Sequence, residues 1–346
     1  MNLLKLSSAA LLCASFAVLP LSTASACSRA VYFGQGGQTV TGRSMDWTEG
    51  MQTNLWIFPR GTERNGGPGN KGLKWTSKYG SVVASVYEAG TADGMNEKGL
   101  VANELYLAEA KYPKEDGRPR LTVAAWPQYF LDNFATVKEA VAEMRKEKFI
   151  PFAVAPPVTD SKPIEATMHL SLSDASGDSA IFEYINGKLV IHHGRQYQVM
   201  TNSPTYDEQL RMNKYWERKG GKELPGTTNA ADRFARASYY INASQQSAQP
   251  REAVAAVFSV MRNVSAPRGI VGTDWSTIWR TVSDQKNLVY YFEDTFSPSL
   301  VWVKLKEIDF SPKAGVRKLA LAGNPDLAGD QTANFKPAKP FPFLGS

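Results

Sequence analysis

Apolar and polar positions along this chain repeat with two periods, and the places where one gives way to the other outline its elements. Residues 29–33 and 38–44 read as two strands around the turn-like Gly34-Gln35-Gly36-Gly37, which predicts a hairpin. Strands are expected over 81–88 and 99–107, around a turn at Asp93-Gly94-Met95-Asn96. Helical patterns follow: an aromatic-rich stretch over 121–132 and a second over 136–146. Strands return at 166–173, 179–186, 188–193 and 196–202. Helices are expected over 206–218, 230–243 and 250–264, and closing strands over 277–283, 287–293 and 300–308. From Gly329 the chain is rich in proline and polar residues and is expected to wrap the surface.

The order strands, helices, strands, helices, strands is not the alternation of a parallel doubly wound fold. It suits an α+β protein in which two antiparallel sheets pack together with helices outside. No low-complexity linker divides the chain, so residues 27–346 are expected to form one domain.

Residues 1–26 read differently. Lys5 is followed by an uncharged apolar run over 9–19 and by Ala24-Ser25-Ala26, the small-residue pattern of a secretory cleavage site. The competing reading is a buried N-terminal helix. The run is shorter than the ~20 residues a membrane-spanning helix needs, and no later segment qualifies. The mature chain is therefore expected to begin at Cys27 and to work in the periplasm or outside the cell.

Charge and composition narrow the field. The formal charge is +6, but Lys and Arg are scattered among Asp and Glu, with no basic run interleaved with aromatics. That pattern speaks against nucleic acid as a partner. The mild excess suits solubility or anionic substrates. The glycine-rich stretch 65–72 lacks the GK[ST] of a phosphate loop. There are three histidines, and the adjacent His192 and His193 would point to opposite faces of a strand, so no metal site and no cofactor is expected.

Of two cysteines, Cys13 falls in the segment expected to be removed, and Cys27 is left alone. It admits three readings: a lipid-modified anchor, as in an envelope lipoprotein that serves as a binding module; a buried bystander; or a nucleophile. Against the anchor, Ala24 stands where lipoprotein signals usually carry an aliphatic residue, and a strand rather than a flexible tether follows. The nucleophile reading accounts for the position. An α-amino group of pKa about 7.7–8.0 beside a thiol of about 8.5 combines general base and nucleophile in one residue. Cleavage before Cys27 would then switch the chemistry on.

A thiolate needs a positive neighbour, and acyl transfer needs donors for an oxyanion. Gly42-Arg43-Ser44-Met45-Asp46-Trp47 lies on the strand expected to pair with that of Cys27. Arg43 could favour the thiolate and Asp46 could hold the α-amino group. Period-two alternation places the two on opposite faces, so the strand is expected to bend or end near Ser44. A hairpin salt bridge of little value is the other reading.

Cys27, GRSMDW, DGMNEKGL, VMTNSP and a later DRF together resemble the choloylglycine hydrolase family, over roughly residues 27–308. These are N-terminal nucleophile hydrolases and include bile salt hydrolases and penicillin V acylases. The resemblance implies a four-layer αββα sandwich, a small-molecule amide substrate and no cofactor; homo-oligomers are common in the family. It makes Cys27 the nucleophile, Arg43 the arginine beside the thiol, Asp46 the holder of the amine, Asn202 an oxyanion donor and Arg233 a supporting arginine. Taken alone, Asn202 reads as a turn before Pro204 and Arg233 as a helix-surface residue. Tyr106 stands where bile salt hydrolases carry asparagine and penicillin V acylases typically carry tyrosine. Its backbone N–H is the second expected oxyanion donor, against the plainer reading of a packed strand aromatic. Trp47, Trp56 and Tyr106 are the candidates for an apolar acyl pocket. A secretory signal resembles the Gram-negative branch, associated with penicillin V and long-chain N-acyl homoserine lactones. Bile salt hydrolysis is the alternative within the family.

Overall fold

A computed structural model of the chain describes residues 27–158, 165–271, 274–297 and 299–346. The expected signal segment 1–26 lies outside them. The first hairpin forms as the alternation predicts: β1 (Ser28–Phe33) pairs antiparallel with β2 (Thr39–Trp47), Arg29 facing Arg43 and Ser28 facing Ser44. Around it grows a seven-stranded sheet in the order Val199–Met200, β1, β2, Ser276–Asp284, Val289–Asp294, Leu300–Lys304 and Gly329–Asp330. Its last pair is parallel and the rest antiparallel. A second, nine-stranded sheet is antiparallel throughout. It runs Lys188–His193, Ser179–Ile185, Met168–Ser173, Val101–Tyr106, Gly90–Asn96, Ser81–Val86, β3 (Leu55–Phe58), Arg317–Leu319 and Lys336–Pro337.

The sheets stack face to face and helices cover both outer faces, giving four layers. On the seven-stranded sheet lie α4 (Ala230–Ala243) and α5 (Pro250–Asn263), with α3 (Tyr206–Lys219) against α4. On the nine-stranded sheet lie α1 (Trp126–Asn133) and α2 (Val137–Met144), the latter started by a capping box between Thr136 and Glu139. Glycine in β2 sets how closely α5 approaches. A Cβ at Gly42 would fall 2.5 Å from Val257 Cγ1 and 2.6 Å from Met261 Cγ.

Four expectations change. Asp93-Gly94-Met95-Asn96 is not a turn but the buried second half of the strand Gly90–Asn96. Asp93 has buried donors in Tyr290 (2.5 Å) and Asn103, so its polarity is satisfied across strands rather than by a local turn. The reversal lies at Tyr87 and Glu88, both at positive φ (52° and 49°). The helix expected from 121 starts only at Trp126, after a short strand Arg120–Thr122 and a 3₁₀ turn. The strand expected over 196–202 shrinks to Val199–Met200. The tail does more than wrap, because Phe335, Phe341 and Phe343 are buried.

Candidate active site

Cys27 sits at the head of β1, in the middle of the inner layers, and is only 2 % exposed. Its Sγ lies 3.9 Å from Arg43 Nη2, 3.7 Å from Met45 Sδ and 4.0 Å from the main-chain oxygen of Asp46. Burial pushes the thiol above its ordinary pKa. The Arg43 guanidinium opposes that rise and the Asp46 carboxylate adds to it.

β2 delivers both of these residues without ending at Ser44; it runs on to Trp47. The irregularity falls on its neighbour. Thr277 faces Asp46 and Trp279 faces Met45, so Ile278 is an extra residue on that strand, a β-bulge. Arg43 and Asp46 leave β2 on opposite faces, as alternation requires. Arg43 crosses to the other sheet, donates to Glu104 O at 3.0 Å and lies over the Trp279 ring at 4.4 Å. Asp46 turns toward α4. It accepts from Thr277 Oγ1, and its Oδ2 stands 4.0 Å from Arg233 Nη1. Burial raises the Asp46 carboxyl to about 6, held back most by Arg233 and then by the Thr277 hydroxyl.

Arg233 is fully buried on the first turns of α4, not on a helix surface. It donates to Cys27 O (2.5 Å), Ser28 Oγ (2.6 Å), Asn202 Oδ1 (3.0 Å) and Thr228 O (2.8 Å). It thereby fixes the main chain at Cys27 and the amide of Asn202 at once. Asn202 Oδ1 also accepts from the Cys27 nitrogen, and Asn202 Nδ2 donates to Tyr106 O at 2.8 Å. Across its sheet, Leu107 N donates to Thr167 O at 2.9 Å. The peptide groups of Tyr106, one residue earlier, therefore face the opposite way, toward Asn202.

Above the thiol opens a largely apolar pocket whose walls include Trp47, Met51, Tyr87, Tyr106, Val123 and Leu344. A larger cleft lies between α3 and α4, around Leu210, Trp216 and Tyr239, and holds none of the residues above. At the rim of the Cys27 pocket, Trp47 Nε1 donates to Tyr87 Oη (2.8 Å), which donates to Glu49 (2.8 Å). Trp56 is not in this pocket. It projects from β3 into the other core, stacked near Phe58 (6.0 Å) and edge-on to Phe341 (5.2 Å). Both faces of β3 are buried, so an aromatic there has two apolar destinations, and Trp56 takes the outer one.

The histidines lie elsewhere. His169 pairs with Glu183 at 3.0 Å and His193 with Asp178 at 2.8 Å. Among the described residues no group of three or more His, Cys, Asp or Glu is arranged to hold a metal, and no helix is long and apolar enough to cross a membrane. Sequence reasoning missed Met45, Glu104, Thr277 and Trp279. Met45 lies inside the GRSMDW motif, and Glu104 shares a strand face with Tyr106, so both had a local signal. Thr277 and Trp279 had none, because the bulge that places them depends on pairing with β2.

A cysteine heading an inner strand of an αββα sandwich defines the class: an N-terminal nucleophile hydrolase fold. The chain belongs to the linear amide C–N hydrolases, choloylglycine hydrolase family, whose model matches residues 27–316. It is 50 % identical to a penicillin V acylase from Pectobacterium atrosepticum, over 92 % of each chain. A solved penicillin V acylase from Agrobacterium tumefaciens superposes with a TM-score of 0.84 at 55 % identity, covering 92 % of this chain and all of that one. A conjugated bile acid hydrolase from Clostridium perfringens shares the fold, with a TM-score of 0.70 at 22 % identity over 85 % of this chain and 96 % of that one. The chain is thus a linear amide hydrolase of the penicillin V acylase-like kind.

Proposed function

We propose that this protein is a periplasmic enzyme that cleaves phenoxyacetyl amides, and long-chain N-acyl homoserine lactones, through Cys27. The observation that carries the reading is a thiol lying beside the buried Arg43 on an apolar pocket, with the buried Arg233 and the Asn202 amide both bound to the Cys27 main chain. Identity to penicillin V acylases, and Tyr106 in the place of a bile salt hydrolase asparagine, support the acyl class.

In the full chain the Cys27 nitrogen is a peptide N–H. Loss of residues 1–26 converts it to an amine that takes the thiol proton. The thiolate attacks the acyl carbon, and the oxygen gains charge facing the Tyr106 N–H and the Asn202 amide. The amine leaving group departs with the proton, and water, deprotonated by the same α-amino group, clears the thioester. Burial makes the thiolate costly, and Arg43 offsets part of that cost. Arg233 holds Cys27 O and Asn202 Oδ1 still while charge moves.

Burial of Sγ against Met45, Arg43 and the main chain of Asp46 argues against a lipid anchor at Cys27. Two measurements test the reading. Mass spectrometry of the secreted protein is expected to find a free, unlipidated Cys27 at the N-terminus. On that protein, penicillin V and a long acyl homoserine lactone are expected to have higher kcat/KM than glycocholate, the ratio by which substrates are discriminated. If glycocholate has the highest value, the bile salt reading replaces this one.

A further inference from the structure

We infer that the C-terminal tail forms one wall of the acyl pocket and that Leu344 sets which acyl groups fit. The inference rests on the acyl-amide reading above and concerns residues outside the family match, which ends at 316.

Leu344 is half-buried at the rim of the pocket that holds Cys27. Its main chain ties together separate parts of the wall. Its N–H donates to Ala89 O at 2.7 Å, on the reversal between the strands Ser81–Val86 and Gly90–Asn96. Its C=O accepts from Thr122 Oγ1 at 2.7 Å, just before the turn that supplies Val123 and Ala124 to the pocket. The next residue, Gly345, sits at φ 83° against a third part of the wall, where a Cβ would come within 2.8 Å of Val154 Cγ1. Glycine there is what lets the tail lie flat on Val154.

The tail is held from behind by aromatic anchors. Phe343 stacks near Trp75 at 6.3 Å, and Phe341 meets Trp56 at 5.2 Å and Phe58 at 5.5 Å, edge-on in both cases. Trp56 therefore serves the pocket indirectly, as the seat of the segment that brings Leu344 to it. Anchored at two buried phenylalanines and hydrogen-bonded on both sides, Leu344 presents its side chain to the pocket as a fixed apolar surface. An acyl group whose carbonyl lies at Cys27 passes under that surface on its way to solvent.

The test uses processed protein and two amides of one chromogenic amine, a phenoxyacetyl and a decanoyl amide. One methylene in an apolar pocket is worth about 10-fold or more in discrimination. Leu344→Ala is expected to raise the decanoyl-to-phenoxyacetyl ratio of kcat/KM by about 10-fold, and Leu344→Trp to lower it by a similar factor. Neither change touches Phe341 or Phe343, and thermal melting checks that the fold is kept; if the tryptophan variant does not fold, the alanine variant decides alone. Wild-type turnover with ratios unchanged within about twofold in the folded variants overturns the role of the tail. Wild-type protein inert to both amides overturns the amide reading, and this one with it.

Discussion

Asp46→Asn is expected to make the unprocessed protein more stable and to end turnover by the processed one. Asp46 is fully buried, and its carboxyl rises from 3.8 to about 6 on folding. A rise of about two units makes ionised Asp46 cost the fold ~3 kcal/mol at neutral pH, at 1.36 kcal/mol per unit. The sign follows from proton binding. The folded state holds the proton more tightly, so the contribution is full below pH 3.8 and is lost as pH rises through about 6. Asparagine imitates the protonated acid and can still accept from Thr277. The variant should therefore exceed the wild type by ~3 kcal/mol near pH 7.5, and by only ~1 kcal/mol near pH 4.5. Comparing the two proteins isolates this group, since burial also raises Asp93, Glu104 and Asp132. Urea unfolding of a form retaining Ser22–Ala26 ahead of Cys27, at both pH values, measures the gap. In the processed form, where Asp46 is proposed to orient the new α-amino group, turnover should be lost. A variant less stable than wild type near neutral pH in the extended form would refute the account of Asp46 as a carboxylate held at a cost.

Other outcomes follow from the same site. Cys27→Ala should abolish amide turnover with melting unchanged, and the form retaining Ser22–Ala26 should be equally inactive; release of amine product by either would sink the nucleophile or the α-amino base. Asn202→Ala should lower kcat by ~10²–10³, as loss of an oxyanion donor does, and an effect confined to KM would reduce Asn202 to a positioning residue. Asp132→Ala should destabilise the fold by ~3–5 kcal/mol, because it strands a buried Arg64 that now pairs with Asp132 at 3.3 Å over the Phe58 ring. An unfolding free energy within ~1 kcal/mol of wild type would show that the pair does not matter.

Much of the layer order was legible before any coordinates. The β1–β2 hairpin, the helices α4 and α5 and the strands Met168–Ser173 and Ser179–Ile185 announce themselves by period, since each has a side that must leave water. The lone Cys27 behind a cleavage-site pattern, with Arg43 and Asp46 on the next strand, suggested the chemistry proposed above, and the family motifs pointed to Tyr106, Asn202 and Arg233, of which Arg43, Asn202 and Arg233 lie against Cys27 in the fold. Other features were open until the chain was folded. Period reports that a face is apolar, not which of two apolar interiors it enters, so Trp47 and Trp56 read alike although only Trp47 borders the pocket. Asp93-Gly94 carries the local chemistry of a turn, yet the donors that satisfy Asp93 come from Asn103 and Tyr290, 10 and 197 residues away. The bulge at Ile278 exists only in the pairing with β2, and it puts Thr277 opposite Asp46. A tail rich in proline and polar residues reads as surface, but three phenylalanines bind it into the body and bring Leu344 to the pocket. Local pattern determines where a residue's own segment bends and which side it hides. Partners far away in the chain decide what the hidden side meets, because a buried carboxylate, arginine or ring is stable only where distant groups complete its hydrogen bonds and contacts.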